Sequence, residues 1–195
     1  MNISLNVKQP LKNRFLTSAK PLLMWHKITL TLLASIFIAI CAQIQLPLFP
    51  VPVTMHTFAV LLIAMTLGWR LGISSVIVYL LAGLSGLPVF SGLSSGLHVF
   101  LGPTGGYLIG FIAMAFVSGF LVEYGWGKHF ITVLLAGLCG SIALYAIGLP
   151  LLAIYVGFSH MLALGFIPFL LGDGLKILCL AVIIPLFWQK KKRNS

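Results

Sequence analysis

The sequence has 195 residues, of which 60% are hydrophobic and 7% are charged. No water-soluble domain of this length needs so much apolar surface, so the composition indicates an integral membrane protein. Because a membrane-spanning helix takes about 20 residues, roughly six spans with short loops use the chain and leave no room for a soluble catalytic domain. The sequence contains no phosphate-binding P-loop motif, so if the protein drives active transport, ATP must be hydrolysed by a partner.

The chain begins with a basic arm, residues 1–25, that contains no acidic residue. We expect this arm to lie in the cytoplasm, against anionic lipid headgroups. A six-helix membrane domain is predicted over residues 26–189, and its first span covers about 26–45. One face of this span carries small residues, which would let another helix approach closely: Ser35, Ala39 and Ala42.

Prolines at 47, 50 and 52 predict an extended loop after the first span. The second span, 54–67, is short and is expected to begin inside the protein. A tight turn at 68–72 leads to a third span over 73–84. The segment 85–104 is rich in Gly, Ser and Pro and has no charged residue, which favours a loop that folds back over a cavity.

The fourth span is predicted over 105–122, and a charged turn at 123–128 leads to the fifth, 129–149, which Pro150 should end. An uncharged connector, 151–168, precedes the sixth span, 170–188. The chain closes with a basic tail at 190–195.

The basic residues determine the predicted orientation. With the N-terminus inside, every Lys and Arg except Lys176 falls in a cytoplasmic segment, as the positive-inside rule requires. The tryptophans at 25, 69, 126 and 188 each lie within two residues of a basic residue, as interfacial anchors should. We therefore expect an all-α polytopic membrane protein with both termini cytoplasmic. The net charge of +10 is accounted for by the basic residues that set this orientation, so no nucleic-acid partner is expected.

The sixth predicted span contains a charged pair. Asp173 and Glu123 are the only acidic residues in the sequence, and Lys176 follows Asp173 by three positions. Residues at this spacing share a helix face, and charges at membrane depth normally face a bundle interior or a wet cavity. Two interpretations stay open: an ion pair that locks helices together, or a paired contact for a small ligand. In the second, Lys176 and the helix N-terminus would favour an anion, while Asp173 accepts N–H bonds or orients Lys176.

Four stretches together resemble BioY, the substrate-binding S component of energy-coupling factor (ECF) biotin transporters: 50–55, 86–90, 102–107, and 172–173 with Lys176. The resemblance implies a six-helix S-component fold in a bacterial or archaeal plasma membrane, with biotin held near the outer face. It also implies a transmembrane coupling protein (T component) and two cytoplasmic ATPase subunits, with Ser35 and Ala39 matching the strip that docks on the coupling protein. His56 stands where the family has glutamine, and the loop 91–98 has fewer glycines than is typical.

Biotin has a urea-like ring with N–H donors, an apolar bicycle and a carboxylate, so its pocket needs an acceptor, an apolar wall and a cationic or amide-rich end. Which end of biotin meets Lys176 is not decided by the sequence. No catalytic residue, metal ligand or cofactor is expected. The candidate substrate-binding residues are Asp173, Lys176, Thr54, His56, Phe90, Ser91, Ser94, Thr104, Gly105 and Tyr107.

Several alternatives remain at this stage. Phe90 and Tyr107 could be lipid-interface aromatics, and His56 could make only a helix-terminal hydrogen bond. The chain could bind another vitamin, or a transition metal through the outer histidines at 56, 98 and 160. An intramembrane enzyme is a further class, although a single intramembrane carboxylate excludes a paired-aspartate protease and no nucleophile elbow is present. A bridging scaffold would leave the Asp173–Lys176 pair without a role.

Overall fold

In the computed structural model of the chain, the structure describes residues 24–193. The predicted arm at 1–25 therefore lies almost wholly outside the described residues, as do the last two residues of the predicted tail.

The described residues form six main helices, as predicted, joined by shorter elements. A two-stranded antiparallel sheet in the first outer loop pairs Gln45 with Thr54 and Leu46 with Val53. The main helices are α1 (Met24–Gln43), α2 (His56–Leu67), α3 (Trp69–Leu84), α5 (Gly105–Glu123), α6 (Phe130–Val156) and α8 (Ile167–Arg193). The shorter elements are β1 (Gln45–Leu46), β2 (Val53–Thr54), α4 (Leu97–Phe100), α7 (Met161–Gly165) and 3₁₀ turns at Ser91–Leu93 and Trp126–Lys128.

Within the described residues, four stretches are long and apolar enough to cross a membrane: Met24–Gln43, Gly105–Glu123, Phe130–Val156 and Met161–Trp188. The helices α2 and α3 are apolar but shorter. Most side chains of α2 are buried, so it forms the centre of the bundle rather than a lipid-facing wall. The short sheet before it lets α2 begin within the protein, as the sequence predicted.

The prediction that Pro150 ends the fifth span is wrong, because α6 continues to Val156. Proline removes one backbone donor and crowds the preceding turn. Membrane helices nevertheless tolerate it when local adjustments satisfy the freed carbonyl. Pro150 is exposed on α6, away from the packed face. The predicted connector 151–168 is therefore helical at both ends.

Two other helix ends differ from the prediction. The turn before α3 needs only Gly68, whose φ of +91° suits glycine, so α3 begins at Trp69 rather than at residue 73. The helix α8 begins at Ile167, with Pro168 in its first turn, where a missing N–H leaves no intrahelical bond unmade. Asp173 and Lys176 therefore lie in the second and third turns of α8. At the other end, α8 also continues through residues 190–193 of the predicted tail.

The cytoplasmic ends of the central helices are packed and hydrogen-bonded. The indole N–H of Trp188, on α8, donates to the carbonyl of Met65, in the last turn of α2, at 3.0 Å. Gly119 of α5 lies directly against the first residue of α3, because an added Cβ would come within 2.7 Å of the Cα of Trp69. These contacts require small or precisely placed side chains at the ends of the helices.

The small residues of α1 face the interior of the fold. Ser35 is 7% exposed, Ala42 is fully buried, and Ala39 is partly buried against the core. Large apolar side chains such as Leu33 and Ile36 cover the outer face instead. The small residues thus let α1 approach its neighbours within this protein, and they are not a free surface in this structure. Their docking on a coupling protein stays a prediction.

We expect Gly119→Ala to destabilise the protein, because its Cβ would meet backbone atoms of Trp69 and Ala64 that cannot rotate away. Such overpacking costs about 1–3 kcal/mol of unfolding free energy. Thermal unfolding of the purified protein in detergent measures the effect. Gly174→Ala on α8 is the control, because nothing lies within 4 Å of its added Cβ. An equal loss in both variants would contradict this account of α5 packing.

Candidate functional site

A cavity lies among α2, α5, α6 and α8, and the segment between α3 and α5 contributes Phe90, Ser91, Val99 and Thr104 to its lining. This segment, residues 85–104, is the lid that the sequence predicted. The apolar lining consists of Val51, Pro52, Phe90, Val99, Tyr107, Leu108, Phe111, Leu144 and Phe169, and the polar lining of Thr54, His56, Thr57, Ser91, Thr104, Tyr145 and Asp173. The cavity thus combines an aromatic wall with a small number of polar groups, as ligand pockets commonly do.

Seven of the ten predicted binding residues line this cavity: Thr54, His56, Phe90, Ser91, Thr104, Tyr107 and Asp173. Ser94, Gly105 and Lys176 do not line it. The hydroxyl of Ser94 donates to the carbonyl of Ser91 at 2.8 Å, and Gly105 lies so close to the Phe100 carbonyl that a side chain would overlap it. Both residues shape the lid, and their contact with a ligand stays a prediction.

Lys176 is fully engaged within the protein. Its ammonium lies 3.0 Å from Oδ1 of Asp173, and it also donates to the carbonyl of Thr54 at 2.7 Å and to Oγ1 of Thr57 at 2.9 Å. An ammonium has three N–H donors, and three acceptors surround this one. Lys176 therefore ties α8 to β2 and α2. These contacts support the interpretation of the pair as an ion pair that locks helices together.

Asp173 retains one acceptor position. Its Oδ1 accepts hydrogen bonds from Lys176 and from Oγ1 of Thr57 at 2.8 Å, while Oδ2 accepts from the hydroxyl of Tyr145 at 2.6 Å. A carboxylate offers about four lone-pair sites, so one site on Oδ2 remains. Because Asp173 lines the cavity, this site suits an N–H group of a ligand.

His56 lies in the cavity wall, within hydrogen-bond distance of Thr54 and Tyr79. Its Nδ1 lies 2.7 Å from Oγ1 of Thr54, and its Nε2 lies 2.6 Å from the hydroxyl of Tyr79. The imidazole also stacks on Phe111, with ring centroids 5.2 Å apart. The two roles considered for His56 therefore coexist: it lines the cavity, and its backbone N–H donates to Thr54 near the start of α2.

The lipid-interface interpretation of Phe90 and Tyr107 is wrong, because these side chains are only 1% and 6% exposed. The ring of Phe90 contacts those of Tyr79 and Phe100 edge-on. Tyr107 stacks on Phe169, and its hydroxyl donates to the carbonyl of Gly165 at 2.8 Å. Both aromatics belong to the bundle interior, where they form part of the cavity wall.

The sequence prediction missed Thr57 and Tyr145, the two hydroxyls that bind Asp173. One signal was available for Tyr145: a tyrosine in the middle of an apolar span needs a hydrogen-bond partner inside the protein. Thr57 follows Thr54 by three residues, a spacing that would place both on one face of the predicted second span. The sequence of a single span does not show which face of its helix packs against which neighbouring helix.

In the part of the chain that the structure describes, no three His, Cys, Asp or Glu side chains come together as a metal-ligand group.

Comparisons with known proteins agree on one family. The family model described as "BioY family" matches residues 12–193. A biotin transporter BioY from Thermotoga maritima is 42% identical over 147 residues, covering 75% of this chain and 86% of the relative. A probable biotin transporter BioY from Pyrococcus horikoshii is 40% identical over 155 residues, covering 78% and 91%.

The fold also matches a crystal structure of the S component for biotin from an ECF-type ABC transporter, with a TM-score of 0.74. The match covers 88% of this chain and 95% of the crystallised chain, at 24% sequence identity. This likeness shows that the described helices adopt the S-component fold.

We expect Lys176→Met to be strongly destabilising, since it leaves Asp173 as a buried charge without a cationic partner. Breaking a buried pair in this way costs about 3–5 kcal/mol, whereas replacing both charges is often close to neutral. The double variant Asp173→Asn/Lys176→Met should therefore recover most of the thermal stability in detergent. If the single and double variants unfold at the same temperature, the pair is not a structural lock.

Proposed function

The chain belongs to the BioY family, and from this membership and the geometry of its cavity we propose that it is the biotin-binding S component of an ECF-type vitamin transporter. The protein is a multi-pass protein of the prokaryotic plasma membrane, and it is a transporter subunit, not an enzyme. The observation that carries the proposal is the acceptor position on Asp173, which lies in an aromatic-walled cavity beneath a loop.

In the proposed binding mode, an N–H group of the ureido ring donates to Oδ2 of Asp173. Hydrogen bonds from Thr57, Tyr145 and Lys176 hold the carboxylate in place before the ligand arrives. A hydrogen bond to an ionised acceptor in a water-poor site is worth about 1.5–3 kcal/mol. The fixed carboxylate therefore lets the ligand bind with little reorganisation of the protein.

The apolar bicycle of biotin would then pack against the aromatic wall formed by Phe90, Tyr107 and Phe169. Its carboxylate would lie towards the lid, where the hydroxyls of Ser91 and Thr104 line the cavity. Lys176 does not take the carboxylate in this arrangement, because its three donors are already used. In this proposal the ureido end of biotin therefore lies near the Asp173–Lys176 pair, an orientation that the sequence left open.

Inward delivery requires partners in this proposal. The sequence has no P-loop of its own, so two cytoplasmic ATPase subunits and a transmembrane coupling protein would supply the energy. The named relatives are biotin transporters, and the structural relative is an S component of an ECF-type ABC transporter. These relatives support, for this chain, capture of biotin from the outer side and release to the cytoplasm when the coupling module acts.

We expect the purified protein to retain radiolabelled biotin at one molecule per chain without turnover. Unlabelled desthiobiotin, which keeps the ureido N–H groups, should displace it, and lipoate, which keeps the acyl tail but lacks them, should not. A site that hydrogen-bonds a substrate N–H rejects an analogue lacking it by about 10⁴-fold or more. Equal competition by lipoate would show that Asp173 does not bind the ligand.

We further expect the folded double variant Asp173→Asn/Lys176→Met to bind biotin more weakly than the wild type. The charged acceptor is replaced by a neutral amide, so affinity should fall by at least about tenfold. Ser74→Ala is the control, because Ser74 is an exposed residue of α3 that bonds only its own helix. Binding by the double variant at the wild-type affinity would remove Asp173 from the site.

A further inference from the structure

One side chain of α1 is hydrogen-bonded to the lid. Gln43, the last residue of α1, lies against the lid residues Val89, Phe90 and Leu93. Its Nε2 lies 3.0 Å from the carbonyl of Phe90 and 3.3 Å from that of Val89, and its Oε1 accepts the backbone N–H of Leu93 at 3.0 Å. A single amide thus serves both carbonyls and an N–H of the lid, using its donor and acceptor ends together.

The turn that Gln43 holds is conformationally unfavourable. Gly92 and Leu93 have φ values of +68° and +56°, a region that residues such as leucine rarely adopt. The side chain of Leu93 is 67% exposed, so its own burial does not hold the turn in place. The hydrogen bond from the Leu93 N–H to Gln43 compensates for part of this cost.

The turn is continuous with the cavity wall. Phe90 and Ser91, immediately before the turn, both line the cavity, and the backbone N–H of Phe90 donates to the carbonyl of Ser94 across it. Gln43 does not line the cavity itself. Any effect of Gln43 on a ligand must therefore pass through the lid.

We propose that Gln43 is a positioning residue that latches the lid in its closed position, so that ligand exit requires the Gln43 hydrogen bonds to break. The latch connects α1, a peripheral helix with a largely exposed outer face, to the wall of the cavity. A displacement of the end of α1 would withdraw the amide and release the turn. That the retained ligand is biotin rests on the proposed function; the latch itself rests on the contacts of Gln43.

The test compares Gln43→Met with Gln45→Met. Methionine matches glutamine in length and lacks the amide. Gln45 is a matched control, since it lies two residues further on, also near Gly92, and makes no side-chain hydrogen bond in the part of the chain that the structure describes. Two rates are measured: amide hydrogen exchange of the lid peptide in the ligand-free protein, and dissociation of radiolabelled biotin.

We expect Gln43→Met to accelerate both rates by about tenfold, as the net loss of one or two hydrogen bonds implies, with little change in the thermal unfolding temperature. Gln45→Met should stay within about twofold of wild type, since it loses no such bond. Unchanged lid exchange in Gln43→Met, or an equal increase in Gln45→Met, would overturn the proposal whether or not biotin binds. Failure of the wild type to bind biotin would instead contradict the proposed function, while the exchange rates would still decide on the latch.

Gln43→Glu covers the case in which the methionine variant does not fold. Glutamate keeps an oxygen acceptor for the Leu93 N–H and removes the donors to the carbonyls of Val89 and Phe90. We expect lid exchange faster than in wild type in this variant. Wild-type protection of the lid in Gln43→Glu would overturn the latch.

Discussion

The buried ion pair between Asp173 and Lys176 is the interaction on which the arrangement of this protein depends. Two charges in the interior of a membrane protein are tolerated only when each has close partners. Here the partners come from α2, α6 and the strand β2. The contacts that bring these elements together also build the polar end of the cavity. In the proposed binding mode, folding and ligand recognition therefore use the same hydrogen bonds, and Asp173 is held in position before any ligand is present.

The two charged residues have different tasks. Lys176 has no donor left for a ligand, whereas Asp173 keeps one acceptor position on the cavity side. This asymmetry would let an ion pair stabilise the bundle and also take part in the proposed binding. Sequence spacing alone could not separate the two roles, because residues three apart on a helix are equivalent until the neighbouring helices are placed around them.

Much of the architecture could be predicted from the sequence, because hydropathy and the positions of Lys and Arg reflect the membrane directly. The six helices, the pairing of Asp173 with Lys176 and the folded-back lid all followed from such local signals. What failed depended on tertiary contacts. Pro150 did not end its helix, and Tyr145 was missed because its partner lies 28 residues away on another helix. The resemblance of four short stretches to one family supplied most of the functional information that spacing lacked.

The hydrogen bond between Trp188 and Met65 restricts how two of the central helices can move relative to each other. It joins α2 and α8 at their cytoplasmic ends, while Thr57, Asp173 and Lys176 join the same two helices near the outer side. Two helices that are joined at two separated positions resist sliding past each other and resist a change in their crossing angle. We therefore expect α2 and α8 to move together as one unit when cargo enters or leaves, and we expect any opening to involve α1 and the lid, which Gln43 joins.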